Sequence, residues 1–211
     1  MSNIAEDIAK ELLHIEAVTL NPKEPYTWAS GLKAPIYTDN RLIVSHPAAR
    51  NKVENAMVQA IREHFNEVEV IAGTATAGIP HAAIIAHLLN VPMIYVRSSA
   101  KAHGKRNAIE GALKPGAKVV MVEDLISTGG SVIQAADAVE DAGGEVIGCL
   151  AIFTYLLEQS TKNFKEASYP LVTLTNYQTL VDIATVNPEL AEYKETLEDW
   201  YKDPVLWSEK R

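Results

Sequence analysis

Apolar positions along this chain follow two rhythms, one helical and one of short unbroken runs. Ile4, Ile8, Leu12 and Ile15 recur at helical spacing, which predicts a helix over residues 3–17. Residues 20–45 keep neither rhythm, and prolines at 22, 25 and 35 predict extended, turn-rich chain. A second helix opens near Pro47, since proline is tolerated at a first helical position, with Val53, Met57, Ala60 and Ile61 on one face. Short apolar runs then predict strands at 68–72, 92–97, 118–122 and 145–153, and helical faces lie at 79–89 and 130–142. A helix near 158–167, a short strand at 171–174 and helices near 176–186 and 189–201 complete the chain. This order predicts an α/β fold with a mainly parallel central sheet flanked by helices. Right-handed crossovers bring the strand C-termini to one edge, where open α/β sheets bind their ligands. Segments 73–79, 97–111, 123–131 and the end of 145–153 are expected to meet there.

The densest chemistry lies in VVMVEDLISTGGSV, residues 119–132. Val119 to Val122 read as a buried strand, and Val132, Ala136 and Val139 as one face of the following helix. The intervening loop therefore opens at a helix N-terminus, whose unpaired N–H groups and partial positive charge suit a phosphate. Gly129 and Gly130 let the backbone approach an anion, and Ser127, Thr128 and Ser131 add hydroxyl donors. Glu123 and Asp124 would repel that anion, so they are expected to face sugar hydroxyls, a cation or a developing positive charge. The plainer alternative is a capping turn, with Ser127 or Thr128 closing the helix.

Composition narrows the setting. The 211 residues, 47% hydrophobic, suffice for a sizeable core. No apolar run reaches membrane-span length, and the acidic, amphipathic N-terminus is unlike a targeting peptide. The single cysteine, Cys149, excludes an internal disulfide and fits a cytoplasmic location. A net charge of −8 argues against nucleic acid or an anionic membrane as partner. Yet residues 70–109 contain no acid and carry Arg97, Lys101, Lys105 and Arg106, a local basic segment suited to a small polyanion. Metal-ligand spacings are absent from the sequence.

Residues 119–132 resemble the phosphoribosyl-pyrophosphate (PRPP) signature of type I phosphoribosyltransferases. The resemblance implies that the acids hold the ribose hydroxyls while the loop takes the 5-phosphate, with PRPP contacts at Glu123, Asp124, Leu125, Ile126, Ser127, Thr128, Gly129, Gly130 and Ser131. AGTATAGIP, residues 72–80, falls where that family has its pyrophosphate loop, although enteric-type relatives place a lysine where this chain has Ala77. VRSSAKAHGKRNAIEG, residues 96–111, is similar to the Arg-x-x-x-Lys-x-His-Gly motif of orotate phosphoribosyltransferases through Arg97, Lys101, His103 and Gly104. Some relatives carry a lysine at the position of Ser98. YTWASGLKAPIYTDNR, residues 26–41, matches a hood segment over the base through Ser30, Gly31, Lys33, Pro35 and Tyr37.

The resemblance thus implies the type I phosphoribosyltransferase fold with a small N-terminal hood. Its divisions are a helix and hood at 1–45, a core at 46–175 with a mobile loop at 98–110, and C-terminal helices at 176–211 completing a single domain. It also implies an orotate phosphoribosyltransferase of de novo pyrimidine biosynthesis, making orotidine 5′-phosphate and diphosphate from orotate and PRPP, with Mg²⁺ carried by PRPP and no metal site on the protein. A cytoplasmic homodimer is expected, in which loop 97–104 caps the partner's substrate. Lys101, Asp124 and Glu123 are the implied catalytic residues; Arg97, Lys101 and His103 would bind PRPP, and Ser127 and Lys33 orotate. Either Lys101 or His103 would deliver any proton. The arginine that grips orotate in enteric-type enzymes is missing from AIFTYLLEQS, residues 151–160, leaving Lys33 or Arg41 as the candidate cation. A purine-base phosphoribosyltransferase would share residues 119–132 without needing the 97–104 motif, and a non-catalytic PRPP-sensing regulator would keep the fold alone.

Overall fold

A computed structural model of the chain describes residues 3–98 and 108–211. Lys101, His103 and Gly104, with most of the loop expected at 98–110, lie outside the described residues. In chain order the elements are α1 (Ile4–His14), β1 (Val18–Leu20), β2 (Tyr26–Thr27), β3 (Lys33–Ala34), β4 (Ile36–Thr38), a 3₁₀ turn (Asn40–Ser45) and α2 (Pro47–His64). Then come β5 (Val70–Thr74), α3 (Gly78–Leu89), β6 (Met93–Val96), β7 (Ile109–Glu110), β8 (Lys118–Ile126), α4 (Gly130–Asp141), β9 (Glu145–Thr154) and α5 (Glu158–Ala167). The chain closes with β10 (Leu171–Asn176), α6 (Tyr177–Ala184), α7 (Pro188–Ala191), α8 (Lys194–Lys202) and α9 (Pro204–Glu209).

Two compact units result: Met1–Ala49 with Thr175–Arg211, and Arg50–Leu174. In the first, β1 pairs antiparallel with β4 and β2 with β3. The Trp200 ring meets Trp28 edge-on, with centroids 5.7 Å apart, and tilts against Tyr177 at 4.9 Å. The last helix is tied to the hood strand. The Lys33 N–H donates to Ser208 Oγ at 2.8 Å, and Lys33 Nζ to the Arg211 carbonyl at 2.6 Å.

The second unit is built on a sheet of order β10-β9-β8-β5-β6-β7. Strands β6, β5, β8 and β9 run parallel to one another, and β7 returns antiparallel to β6. Every residue of β5 and Val119 to Val122 of β8 are buried, as expected of strands covered on both faces. On one face Val132, Ala136 and Val139 of α4 join Val119, Met121 and Ala151 in a continuous core. Helix α3 lies against β5 and β8. It comes so close that a Cβ on Gly78 would collide with the Val122 carbonyl, and one on Gly73 would stand 3.0 Å from the Ala82 Cβ. Glycine at 78 is thus a steric requirement of helix against strand.

Several boundaries differ from those read in the sequence. The expected strand 118–122 runs on to Ile126, so Glu123 and Asp124 sit inside β8 and not beyond its end. Their register against β9, Glu123 opposite Ala151 and Leu125 opposite Phe153, supplies the backbone bonds that hold polar residues in a strand. Strand β5 lies at Val70–Thr74 where 68–72 was expected, and β7 was not anticipated. The helix expected at 189–201 is two, α7 and α8, with α9 beyond them.

Candidate active site

Because β5, β6, β8 and β9 are parallel, their C-terminal ends at Thr74, Val96, Ile126 and Thr154 share one sheet edge. There a cleft of about 280 Å³ opens, lined by residues 75–77 and 123–132. The structure therefore brings together two segments expected at this edge: the small-residue turn after β5 and the acidic pair with its Ser/Thr/Gly loop.

Two helices begin at this cleft. Helix α3 has Ala77 as its N-cap and α4 has Gly129, and neither is closed by a side chain. By contrast Asn3, Asn176, Asn187 and Asp203 cap α1, α6, α7 and α9. Helices α5 and α8 also lack a side-chain cap, but α3 and α4 both start at the cleft, where their first-turn N–H groups, apart from that of Ile79, which the Thr76 carbonyl accepts at 3.3 Å, stand in the positive field of both helix ends. The capping alternative for Ser127 and Thr128 does not hold; the cap is Gly129 in the left-handed region, φ 81°. Side chains are excluded there, since a Cβ on Gly129 would lie 2.5 Å from Cε2 of the Phe164 ring.

The acids differ from each other. Glu123 is only 7% exposed, and its Oε1 accepts the Asp124 N–H at 3.0 Å. Burial, then the neighbouring Asp124 carboxyl, push Glu123 up to about 9, so it is a neutral acid at pH 7. Asp124 is less buried and also lines the cleft. A neutral carboxyl beside a second carboxyl offers both a donor and acceptors, the pattern a vicinal diol requires.

Other candidates fall elsewhere. Ile126 gives the cleft only backbone, because its side chain is 1% exposed in the α4 core and its carbonyl accepts the Tyr155 N–H at 3.1 Å. Arg97 lines an adjoining cavity of about 270 Å³ that shares Ala75 and Ser131 with the cleft, and its Nε lies 3.4 Å from Glu110 Oε1. Lys33 belongs to the other unit, where Ser208 and Arg211 engage it. Arg41 is held by Asp39, Nε to Oδ1 at 2.6 Å and Nη2 to Oδ2 at 2.9 Å. Past β9, Leu156 turns at φ 57° and donates its N–H to Thr154 Oγ1 at 3.1 Å.

One contributor had no signal in the sequence. Asn163 of α5 donates from Nδ2 to the Thr128 carbonyl at 2.9 Å, bracing the loop from 35 positions away. Its surroundings in EQSTKNFKEA read as a solvated helix face.

The model of the phosphoribosyl transferase domain family matches residues 40–191. The orotate phosphoribosyltransferase of Enterococcus faecalis is 55% identical over 98% of this chain and 99% of its own length. Among solved structures, the Leishmania donovani UMP synthase superposes with a TM-score of 0.80 at 26% identity, over 94% of this chain; the chain spans 42% of that longer protein. The orotate phosphoribosyltransferase of Aeropyrum pernix shares the fold, with a TM-score of 0.75 at 24% identity over 83% of this chain and 96% of its own. With a family domain over most of its length and a relative this similar from end to end, the chain belongs to the orotate phosphoribosyltransferases, of the type I phosphoribosyltransferase fold.

Proposed function

We propose that the protein transfers the 5-phosphoribosyl group of PRPP to orotate, giving orotidine 5′-phosphate and diphosphate. The observation that carries this reading is the cleft in which two uncapped helix starts flank a carboxyl pair. Such a cleft matches a ligand with an anion at each end and a diol between them. A sugar bearing a phosphate and a diphosphate has that order of groups.

In the reaction, the bond from the anomeric carbon to the diphosphate oxygen breaks and its electron pair leaves with the diphosphate. A bond from orotate N1 to that carbon forms. Negative charge grows on the diphosphate, which the α3 start at 75–78 and the cations Lys101 and Arg97 would meet. Positive charge grows on the ribose, which Asp124 would meet, while Glu123 beside it, held neutral by burial, would help to fix the hydroxyls. The loop from Ser127 to Ser131 would hold the 5-phosphate, with Ser127 also reaching orotate. Magnesium enters as part of the PRPP substrate, where it neutralises diphosphate charge. Lys101 or His103 would donate any proton to the leaving group. Loop 97–104 would close over the substrate of a second subunit and exclude water, making the enzyme a homodimer. The single cysteine supports a cytoplasmic setting.

An ultraviolet assay of orotate loss tests the reading. Loss that depends on both PRPP and magnesium is expected. Turnover of adenine, guanine or hypoxanthine in place of orotate would move the protein to the purine-base enzymes, and no turnover of any base to the PRPP-sensing regulators.

A further inference from the structure

We propose that Asn163 is a positioning residue for the phosphate cradle, locking one peptide of the loop so that its N–H faces the ligand. The proposal rests on the reading that residues 127–131 hold the 5-phosphate. Asn163 Nδ2 donates to the Thr128 carbonyl at 2.9 Å. Gln159, one turn earlier on α5, donates from Nε2 to Asn163 Oδ1 at 2.7 Å. That bond fixes which end of the Asn163 amide faces the loop, so the donor points at Thr128. In a trans peptide the carbonyl and the next N–H point in opposite directions. With the Thr128 carbonyl drawn towards α5, the Gly129 N–H is turned away from α5. Gly129 lies in the lining of the cleft, as do its neighbours on both sides.

The next residue of α5 reinforces the arrangement, since Phe164 packs its ring where a Gly129 side chain would stand. Consecutive residues of one helix thus grip both sides of the same peptide, one by a hydrogen bond and one by a ring. The lock is needed because glycine tolerates either orientation of the peptide before it, the difference between a type I and a type II turn. A flipped Thr128–Gly129 peptide would aim a carbonyl oxygen at the phosphate and withdraw a donor at once. Asn163 itself does none of the chemistry. It acts through Gly129, and it lies on a helix surface where replacement leaves no cavity.

The test compares two probes by titration calorimetry, ribose 5-phosphate and magnesium diphosphate, in the native protein, Asn163→Ala and Asn163→Asp. The aspartate keeps the shape but has no hydrogen to give a carbonyl. Both variants are expected to bind ribose 5-phosphate about fivefold to tenfold more weakly, the scale of one net hydrogen bond, with diphosphate binding unchanged. In turnover, KM for PRPP should rise while kcat at saturating PRPP holds. Equal loss for both probes would assign Asn163 a merely structural role and overturn the proposal, as would unchanged ribose 5-phosphate binding. If the native protein itself does not bind ribose 5-phosphate, the cradle reading fails first and takes this one with it.

Discussion

His81 Nδ1 lies 2.6 Å from Glu54 Oε1, joining α3 to α2 through side chains exposed by no more than 1%. Among the described residues, neither the other ring nitrogen, Nε2, nor the other carboxyl oxygen, Oε2, has a hydrogen-bond partner. Burial raises the Glu54 pKa, outweighing the His81 hydrogen bond that lowers it. Removing one member leaves the other buried without its hydrogen-bond partner, although the Arg50 charge still acts on Glu54, whereas removing both leaves neither group to be satisfied. His81→Leu is therefore expected to cost about 3 kcal/mol, and adding Glu54→Leu to recover most of it. Urea unfolding of the two single variants and the double variant checks this.

Glu123 gives stability a definite slope with pH. Its folded pKa, about 9, stands above its ordinary value of 4.5, so across that window the native state holds a proton that the unfolded chain has released. Stability is therefore greatest at the acid end of the window and falls as pH rises, by at most about 1.4 kcal/mol per pH unit. Glu123→Gln, which cannot titrate, should flatten the slope between pH 6 and pH 8. Parallel slopes in denaturant titrations of the two proteins would count against a neutral Glu123.

Gly129 and Gly130 are adjacent but not equivalent. The first has φ 81° and the Phe164 ring against it, while the nearest atom to a Cβ on the second is Thr128 Oγ1 at 3.8 Å. Gly129→Ala is expected to cost about 1–3 kcal/mol and to weaken PRPP binding. Gly130→Ala should leave thermal stability near native, since a helix start has room for alanine there. Differential scanning fluorimetry with and without PRPP separates the two.

The orotate carboxylate needs a cation, and we assign it to Lys33 or Arg41. Each already holds an acceptor, Arg211 or Asp39, that orotate would have to displace or share. Lys33→Met or Arg41→Met should raise the orotate dissociation constant about tenfold or more, the loss of one charge-assisted hydrogen bond. Orotate titrations unchanged in both variants reject the assignment.

Lys101 is assigned to the transition state more than to ground-state binding. Lys101→Ala should slow single-turnover chemistry by about 10²–10³ while PRPP affinity changes much less. Rates equal to those of the native enzyme would exclude the role.

The parallel strands and their helices were legible because buried apolar runs and helical stripes are local patterns. So was the turn between β8 and α4, where the paired glycines and the hydroxyls break the apolar run. The extent of β8 was not. Glu123 and Asp124 look like the end of a strand, yet β9 pairs with Glu123 and Leu125, on either side of Asp124, from more than twenty positions away. Strand β7, two residues long, is too short to show a rhythm. Helix α9 does carry a local signal, since Asp203 caps it and Pro204 opens it, a pairing typical of helix starts. Asn163 had none, because its importance exists only through Thr128.

The absence of a side chain at Gly78 has a further result. With α3 seated directly on the Val122 carbonyl, the turn at 75–77 and the acid pair one residue further along β8 are held a constant distance apart. The cleft thereby works as a gauge. In the proposed reaction, a sugar diphosphate whose diol stood too near to its diphosphate or too far from it would reach only the turn or only the acids, and would be turned away on length before any group on it had been tested for reactivity.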